Sequence, residues 1–355
     1  MDNRDILFKL LHKALDPTFP IDLATLKGAR WEELLELSYS QGLHAIVFDA
    51  IESVLKDAAF AETDIGLSKA TKIRWIGAVL KQEAFYAKSW KIANHLAGLW
   101  KSEGIVATII KGRAIARYYP KPSHRYSCDL DVFVKDRWAE ACEMLEGKGV
   151  KLEYEVYKEA EFTIHGVYVE CHRYITPVRG NRHLLKVERC LRALLDANPQ
   201  CFESSSLAVP CLEFTALHFV EHALGDLLHG KFSLKHIVDW MVLRKQPLDW
   251  GEFRVRCDEF KFTRFLSLID ALADVVEGKK LYEDIPKAYK EVLDIIFQPT
   301  KPPRSYESWF MRRVQLFFDI LKCRRLFSRF GYCSVSRFLM TALWSHFTKE
   351  TVHVE

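Results

Sequence analysis

Asp129 and Asp131 stand one residue apart in the apolar string Ser127-Cys-Asp-Leu-Asp-Val-Phe-Val134. In a β-strand, residues i and i+2 leave on the same face. The spacing therefore sets two carboxylates side by side on a half-buried strand. Like charges that close resist joint ionisation unless a cation compensates them. A divalent metal is the natural compensation. The structural alternative is two acids that cap a strand end or are paired to Arg125. Under the metal reading, changing either acid to Asn leaves folding intact. It removes a repulsion and is expected to stabilise the metal-free protein slightly.

Other groups with suitable chemistry flank this pair. Lys111-Gly112 follows the apolar run Ile105–Ile110. A Gly at a strand-to-helix turn lets backbone N–H groups approach an anion, and the helix dipole favours it. Arg113, His124 and Arg125 add basic groups. Arg125 can clamp phosphates or serve as a charge partner that holds Asp129. Downstream, Glu170 lies in Val167-Tyr-Val-Glu-Cys-His172, where alternation puts it on one face with Tyr168 and His172. It is either a third metal carboxylate or a solvent-face acid on an edge strand, with Glu153, Glu155, Glu159 and Glu161 as rivals. His172 either orients Glu170 or an acceptor, or is a satisfied partner on the sheet.

Strand, Gly turn, helix, strand with paired Asp, then a later strand with one more acid: this order resembles the nucleotidyltransferase superfamily that includes DNA polymerase beta. More closely, it resembles a bacterial family of uncharacterised nucleotidyltransferases. That family shows a Lys-Gly pair, a Tyr-Pro segment, an Arg four residues before an Asp-x-Asp, and a later Glu-x-His. Here these are Lys111-Gly112, Tyr119-Pro120, Arg125, Asp129/Asp131 and Glu170/His172. The block spans about residues 105–174.

The resemblance implies an α+β fold, with a small mixed β-sheet core flanked by N- and C-terminal helical regions. It implies transfer of a nucleoside monophosphate from an NTP to an acceptor hydroxyl, with pyrophosphate release and magnesium or manganese as cofactor. Asp129, Asp131 and Glu170 would be the catalytic, metal-holding acids, and Glu170 would also take the hydroxyl proton. Lys111, Gly112, Arg113 and Arg125 would bind the nucleotide. His124, His172, His218 and His222 would lie on the acceptor side or behind the ligating acids. The chain departs from the wider superfamily, which usually has Gly-Ser where Lys111-Gly112 stands, and its gap from Gly112 to Asp129 is longer. The acceptor is not specified.

Two rival functions use the same residues. Asp-x-Asp also marks metal-dependent glycosyltransferases, but their larger doubly wound domain would need a βαβ series that this sequence lacks. A non-catalytic nucleotide-binding or regulatory protein could keep the same fold. Separately, His218-Phe-Val-Glu221-His222 spells the H-x-x-E-H of an inverted zinc peptidase. No distal ligand supports that match, and a helix packed on the core or lining the acceptor side is favoured.

The elements must deliver these groups to one place. Residues 1–104 read as helical, with Ser68 to Lys101 as one long helix stopped by Gly104. The mixed core occupies 105–176. Its unalternating run Ile105–Ile110 suits a central strand buried on both faces. Gly112–Tyr119 is a short helix stopped by Pro120, Cys128–Val134 a strand, and Arg137–Glu146 a helix capped by Asp136. Lys151–Tyr157, Glu161–His165 and Val167–Tyr174 suit strands, with Gly166 in a tight turn. Residues 177–297 return to helices, clearest at Phe214–Leu228 and Leu234–Leu243. Residues 298–304 read as a linker, and 298–355 as a basic C-terminal helical segment.

The tail from 301 to 355 holds ten Lys/Arg against four Asp/Glu. Its Trp309–Phe330 stretch is either an amphipathic helix for a membrane surface or nucleic acid or, the favoured reading, a helix docked on the core. A net charge of +4 does not by itself imply nucleic-acid binding. Nine cysteines without a CxxC pair argue against a zinc knuckle and fit a reducing cytoplasm. The N-terminus lacks the basic and apolar regions of a signal peptide. No apolar stretch approaches the roughly 20 residues of a membrane span.

Overall fold

The computed structural model describes residues 2–57, 65–155, 158–178, 181–201, 206–298 and 323–340. Helices α1 (Asn3–Leu15), α2 (Leu23–Lys27), α3 (Trp31–Ser40), α4 (His44–Asp57) and α5 (Lys69–Lys101) precede the sheet. The Ser68 side chain caps α5, and Gly104 stops it at a φ of +71° that favours glycine. The α+β expectation holds. Strands β1 (Ala107–Ile109), β2 (Asp129–Val134), β3 (Glu153–Glu155), β4 (Glu159–Ile164), β5 (Val167–His172), β6 (Gln200–Cys201) and β7 (Ala208–Val209) form one mixed sheet in the order β3-β4-β5-β2-β1-β7-β6.

Alternation divides this sheet. Leu130, Val132 and Val134 of β2, with Val167, Val169 and Cys171 of β5, form an apolar face. It is covered by Ile92, Leu96 and Trp100 of α5 and by Ala141 and Leu145 of α7 (Trp138–Glu146). The Trp100 indole donates to the Ala141 carbonyl at 3.0 Å and so ties the two covering helices together. The opposite face carries the acids. It looks toward α6 (Lys111–Ala116), α9 (Leu212–Leu228) and α10 (Leu234–Leu243).

A second core runs from Ile6 to Phe330. It joins α1, α3 and α4 to α8 (Arg182–Ala197), α9, α10, α11 (Trp250–Glu259), α12 (Thr263–Val276) and α13 (Lys287–Ile296). Gln41, at the end of α3, donates to the Ile296 carbonyl and accepts from the Leu234 backbone.

Three local expectations change. The run 105–110 yields a three-residue strand, and Val106 is 60% exposed rather than buried on both faces. Asp136 does not cap α7. Its φ is +61°, and its carboxylate pairs with Arg192 at 3.3 Å. β6 and β7 had no counterpart in the sequence reading. The expected linker and most of the basic segment lie outside the described residues. The described helix Arg324–Phe330 buries Leu326, Phe327 and Phe330 in the second core, and Arg329 pairs with Glu291 of α13.

Candidate active site

β2 and β5 pair in parallel, and their register sets Asp131 directly opposite Glu170, Asp129 opposite Tyr168, and Phe133 opposite His172. Parallel neighbours cannot be joined by a hairpin, and here the chain crosses through α7, β3 and β4. One-face spacing within each strand and one-to-one register between them bring the acids together.

Lys111 closes the group. Its ammonium lies 2.6 Å from Asp131 Oδ1 and 3.0 Å from Glu170 Oε2. The residue takes a φ of +50°, a left-handed conformation that a side-chain-bearing residue rarely adopts. Gly112 therefore does not supply the left-handed residue of the turn. It is small for a different reason: a Cβ there would run into the Arg125 guanidinium and the Ser127 hydroxyl.

His172 is fully buried between acids. Nε2 is 3.0 Å from Asp131 Oδ1 and 3.3 Å from Glu170 Oε2, and Nδ1 is 2.7 Å from Glu159 Oε2. Glu159, weighed only as a rival to Glu170, is instead the group behind the histidine. Burial pushes the Glu170 carboxyl up, but the His172 hydrogen bond and the Lys111 charge outweigh it and hold the group below its usual range. Asp131 is likewise held low: burial raises it, and Lys111 and His172 overcome that. Burial and the Asp131 charge raise Asp129, whose carboxylate accepts from Ser127 Oγ at 2.9 Å. These environments separate two acids that look alike in the sequence.

The basic groups are arranged differently from expectation. Arg125 is buried, and its Nε and Nη2 grip the two oxygens of Asp239 on α10 at 3.1 and 2.8 Å. Tyr119 donates to the same carboxylate at 2.6 Å. Thus Tyr119 and Arg125 fasten α10 to the sheet, and Arg125 is not a partner of Asp129. Arg113 is turned away from the acids, onto α5, where it donates to Ser89 and lies over the Tyr86 ring, with its Nε left unpaired. His124 spans Asp49 and Glu83, at 2.6 and 2.8 Å, and links α4 to α5 instead of joining the acids. Lys231 and Lys235, which sequence reasoning missed, line the cleft and make no salt bridge among the described residues. Their only sequence signal was proximity to the 234–243 helix.

The resulting cleft measures about 320 Å³. Lys111, Asp129, Asp131 and Glu170 lie on one side. Phe214, His218 and His222 of α9 and Lys235 of α10 lie on the other. His218 is buried with Nε2 unpartnered, and burial holds its imidazole well below the usual value. Partial burial lowers the His222 imidazole, against the pull of Asp226, 3.6 Å away. Among the described residues, His218, Glu221 and His222 form no ligand-distance cluster. The helix lines the cleft, as favoured over the peptidase reading.

Asp131, Glu170 and His172 offer ligand atoms all within 4.8 Å of one another. The donor set fits a hard divalent cation: carboxylate oxygens held ionised, with an imidazole beside them. The Lys111 ammonium, between Asp131 and Glu170, marks where those oxygens converge on positive charge. Among the described residues, no helix is long and apolar enough to cross a membrane.

No curated protein matches this chain. A family model described as uncharacterised nucleotidyltransferase matches residues 27–276, well over half of the 355 residues, and covers every group in the cleft. With the Lys-Gly turn, the paired Asp on β2 and the Glu-x-His on β5 assembled around one cleft, the chain belongs to this nucleotidyltransferase family.

Proposed function

We propose that the protein transfers a nucleoside monophosphate from an NTP to a hydroxyl acceptor and releases pyrophosphate. The observation that carries the reading is the cross-strand facing of Asp131 and Glu170, bridged by Lys111 at a cleft. Asp129, Asp131 and Glu170 would hold magnesium or manganese, with His172 fixing two of the acids from behind. Such a metal, when bound, neutralises phosphate charge and lowers the pKa of the attacking hydroxyl.

The chain's own residues do the rest. Lys111 is the nearest cation to the acids and is placed to exchange a carboxylate for a phosphate oxygen. Lys231 and Lys235 supply positive charge on the facing wall, a role that Arg113 and Arg125, already committed elsewhere, are poorly placed to fill. The acceptor oxygen forms a bond to the α-phosphorus as the bond to the pyrophosphate oxygen breaks. Glu170, less buried than Asp131, would take the acceptor's proton once a bound phosphate draws Lys111 off it and relieves part of what holds its carboxyl low. His218 and His222 lie on the acceptor side.

Calorimetric titration of each NTP, with and without Mg²⁺, tests the nucleotide site. Wild type should bind one NTP in a metal-dependent way, and Asp129→Asn should weaken it at least about tenfold. Absence of metal-dependent binding to any NTP would sink the proposal. Binding without pyrophosphate release, across a screen of hydroxyl acceptors, would instead identify a non-catalytic nucleotide-binding protein.

A further inference from the structure

Two cavities share Ser127 and Cys128 as a wall. One is the carboxylate cleft. The other, about 650 Å³, lies among α3, α4, α5 and the segment 126–128. Its volume suits a small organic ligand, and its chemistry differs from that of the cleft. Tyr39, Phe85 and Tyr126 line it. His44 is packed beside two of these rings, with centroids 4.9 Å from Tyr39 and 6.0 Å from Tyr126.

Two buried polar groups in this lining are incomplete. Gln82 is 7% exposed, and its Nε2 donates to the Ser123 carbonyl at 2.8 Å, while its Oε1 has no partner. Burial brings the His44 imidazole down to about 4, against a weaker opposing pull from the Ala78 backbone, so the ring is neutral near pH 7. The ring reaches the Ala78 backbone only weakly, and neither nitrogen completes a hydrogen bond of ordinary geometry. Unpaired buried polar groups are costly, and a ligand that pairs with them removes the cost. Two of the three charges on the lining are spent on pairing, since Arg74 pairs with Glu36 at 2.7 Å and also with Glu32, while the third, Lys81, is solvent-exposed. Gly77 opens the cavity from within α5. Glycine weakens a helix interior, yet a Cβ at this position would meet nothing within 4 Å. Tight packing therefore does not explain it.

We propose that this second cavity is the nucleobase pocket. A planar heterocycle packs against Tyr39, Phe85 and Tyr126, donates an N–H to Gln82 Oε1, and sets a complementary edge atom against His44. The proposal rests on the nucleotidyl-transfer reading, in which the phosphates lie along the carboxylate cleft. The sugar then spans the shared wall at Ser127 and Cys128. Aromatic walls with an unpaired acceptor, where Arg74 is already held by Glu32 and Glu36, suit a base better than a phosphorylated acceptor or a sugar.

Saturation-transfer NMR with adenosine, guanosine, cytidine and uridine, in the absence of metal, tests the pocket without the phosphates. At least one nucleoside should bind the wild-type protein. A Cβ at Gly77 meets nothing within 4 Å, so Gly77→Leu should fold as wild type by circular dichroism, yet weaken that nucleoside at least tenfold. Gln82→Leu should weaken it as well and shift the preference among the four bases. If no nucleoside binds while metal-dependent NTP binding persists, the pocket assignment fails and nucleotidyl transfer stands. The assignment also fails if Gly77→Leu leaves nucleoside binding unchanged. If Gly77→Leu spares NTP binding but blocks transfer, the cavity serves the acceptor and the proposal is overturned.

Discussion

Asp131 is held by Lys111 and His172, whereas Asp129 has the Ser127 hydroxyl and faces the repulsion of Asp131. The two acids should therefore respond oppositely to the same change. Asp129→Asn removes a group whose ionisation the fold opposes, and should raise the thermal midpoint of the metal-free protein at neutral pH. Asp131→Asn leaves the buried Lys111 and His172 with a lost partner and should cost about 1–3 kcal/mol. The expectation that losing either acid stabilises thus survives for Asp129 alone. The pH dependence separates them further. Folding lowers the Asp131 and Glu170 carboxyls below their ordinary values of 3.8 and 4.5, so their stabilisation is present above those values and fades as pH falls through the lower folded ones. For Asp129 the sign reverses, because its raised carboxyl costs stability as pH climbs past 3.8. Thermal melts in EDTA between about pH 3 and pH 7 should show the Asp131→Asn deficit narrowing toward acid and the Asp129→Asn gain growing toward neutrality. Equal shifts for both variants would contradict the asymmetry. Sequence could identify both acids but not this difference, which comes from a lysine and a histidine brought in by folding.

α9 poses a related problem, since Phe214–Leu228 was legible as a helix while the burial of its polar residues was not. Burial raises the Glu221 carboxyl from 4.5 to about 8, so the folded protein keeps a proton there that the unfolded chain releases. Stability should fall as pH rises from 4.5 toward 8, at a cost on the order of 3 kcal/mol by pH 7. Glu221→Gln should remove that slope: its thermal midpoint should match wild type near pH 5 and exceed it at pH 8. A gain of the same size at both values would assign the effect to packing. Elsewhere, strands with alternating acids and apolar residues could be read directly. β2 and β5 fall within one or two residues of expectation, and Gly166, with a φ of +75°, turns β4 into β5. β6 and β7, two residues each, are too short for periodicity to mark. The pairing of β2 with β5 was also illegible, because parallel register is set by long-range packing and not by a turn. The same applies to Arg125, whose partner Asp239 belongs to α10 and is far away in the chain.

The site-bearing sheet depends on segments from both ends of the protein. α5 supplies Ile92, Leu96 and Trp100 to its apolar face, and α9 and α10 close the acidic face. α1, α3 and α4 share the second core with α8 to α13, and Gln41 bonds both to the start of α10 and to the end of α13. Residues 105–176 contain the motif but not the surfaces that bury it. Each large apolar side chain left uncovered on β2 and β5 forfeits about 1.5–3 kcal/mol, and several such losses exceed the roughly 5–15 kcal/mol that stabilises a typical domain. We therefore predict that residues 105–298 expressed alone will not reach the native state. They should lose near-ultraviolet circular dichroism, bind a hydrophobic dye and bind no nucleotide. Adding back residues 65–104 should cover the sheet but leave α10 without Gln41, so recovery should remain incomplete. The full chain, by contrast, should lose secondary structure and tryptophan burial at a single denaturant midpoint, since the indoles of Trp31, Trp75, Trp100 and Trp240 are distributed through both cores. Two separated midpoints, or a 105–298 fragment with native spectra, would mean that the motif core folds by itself and that the flanking helices are accessory.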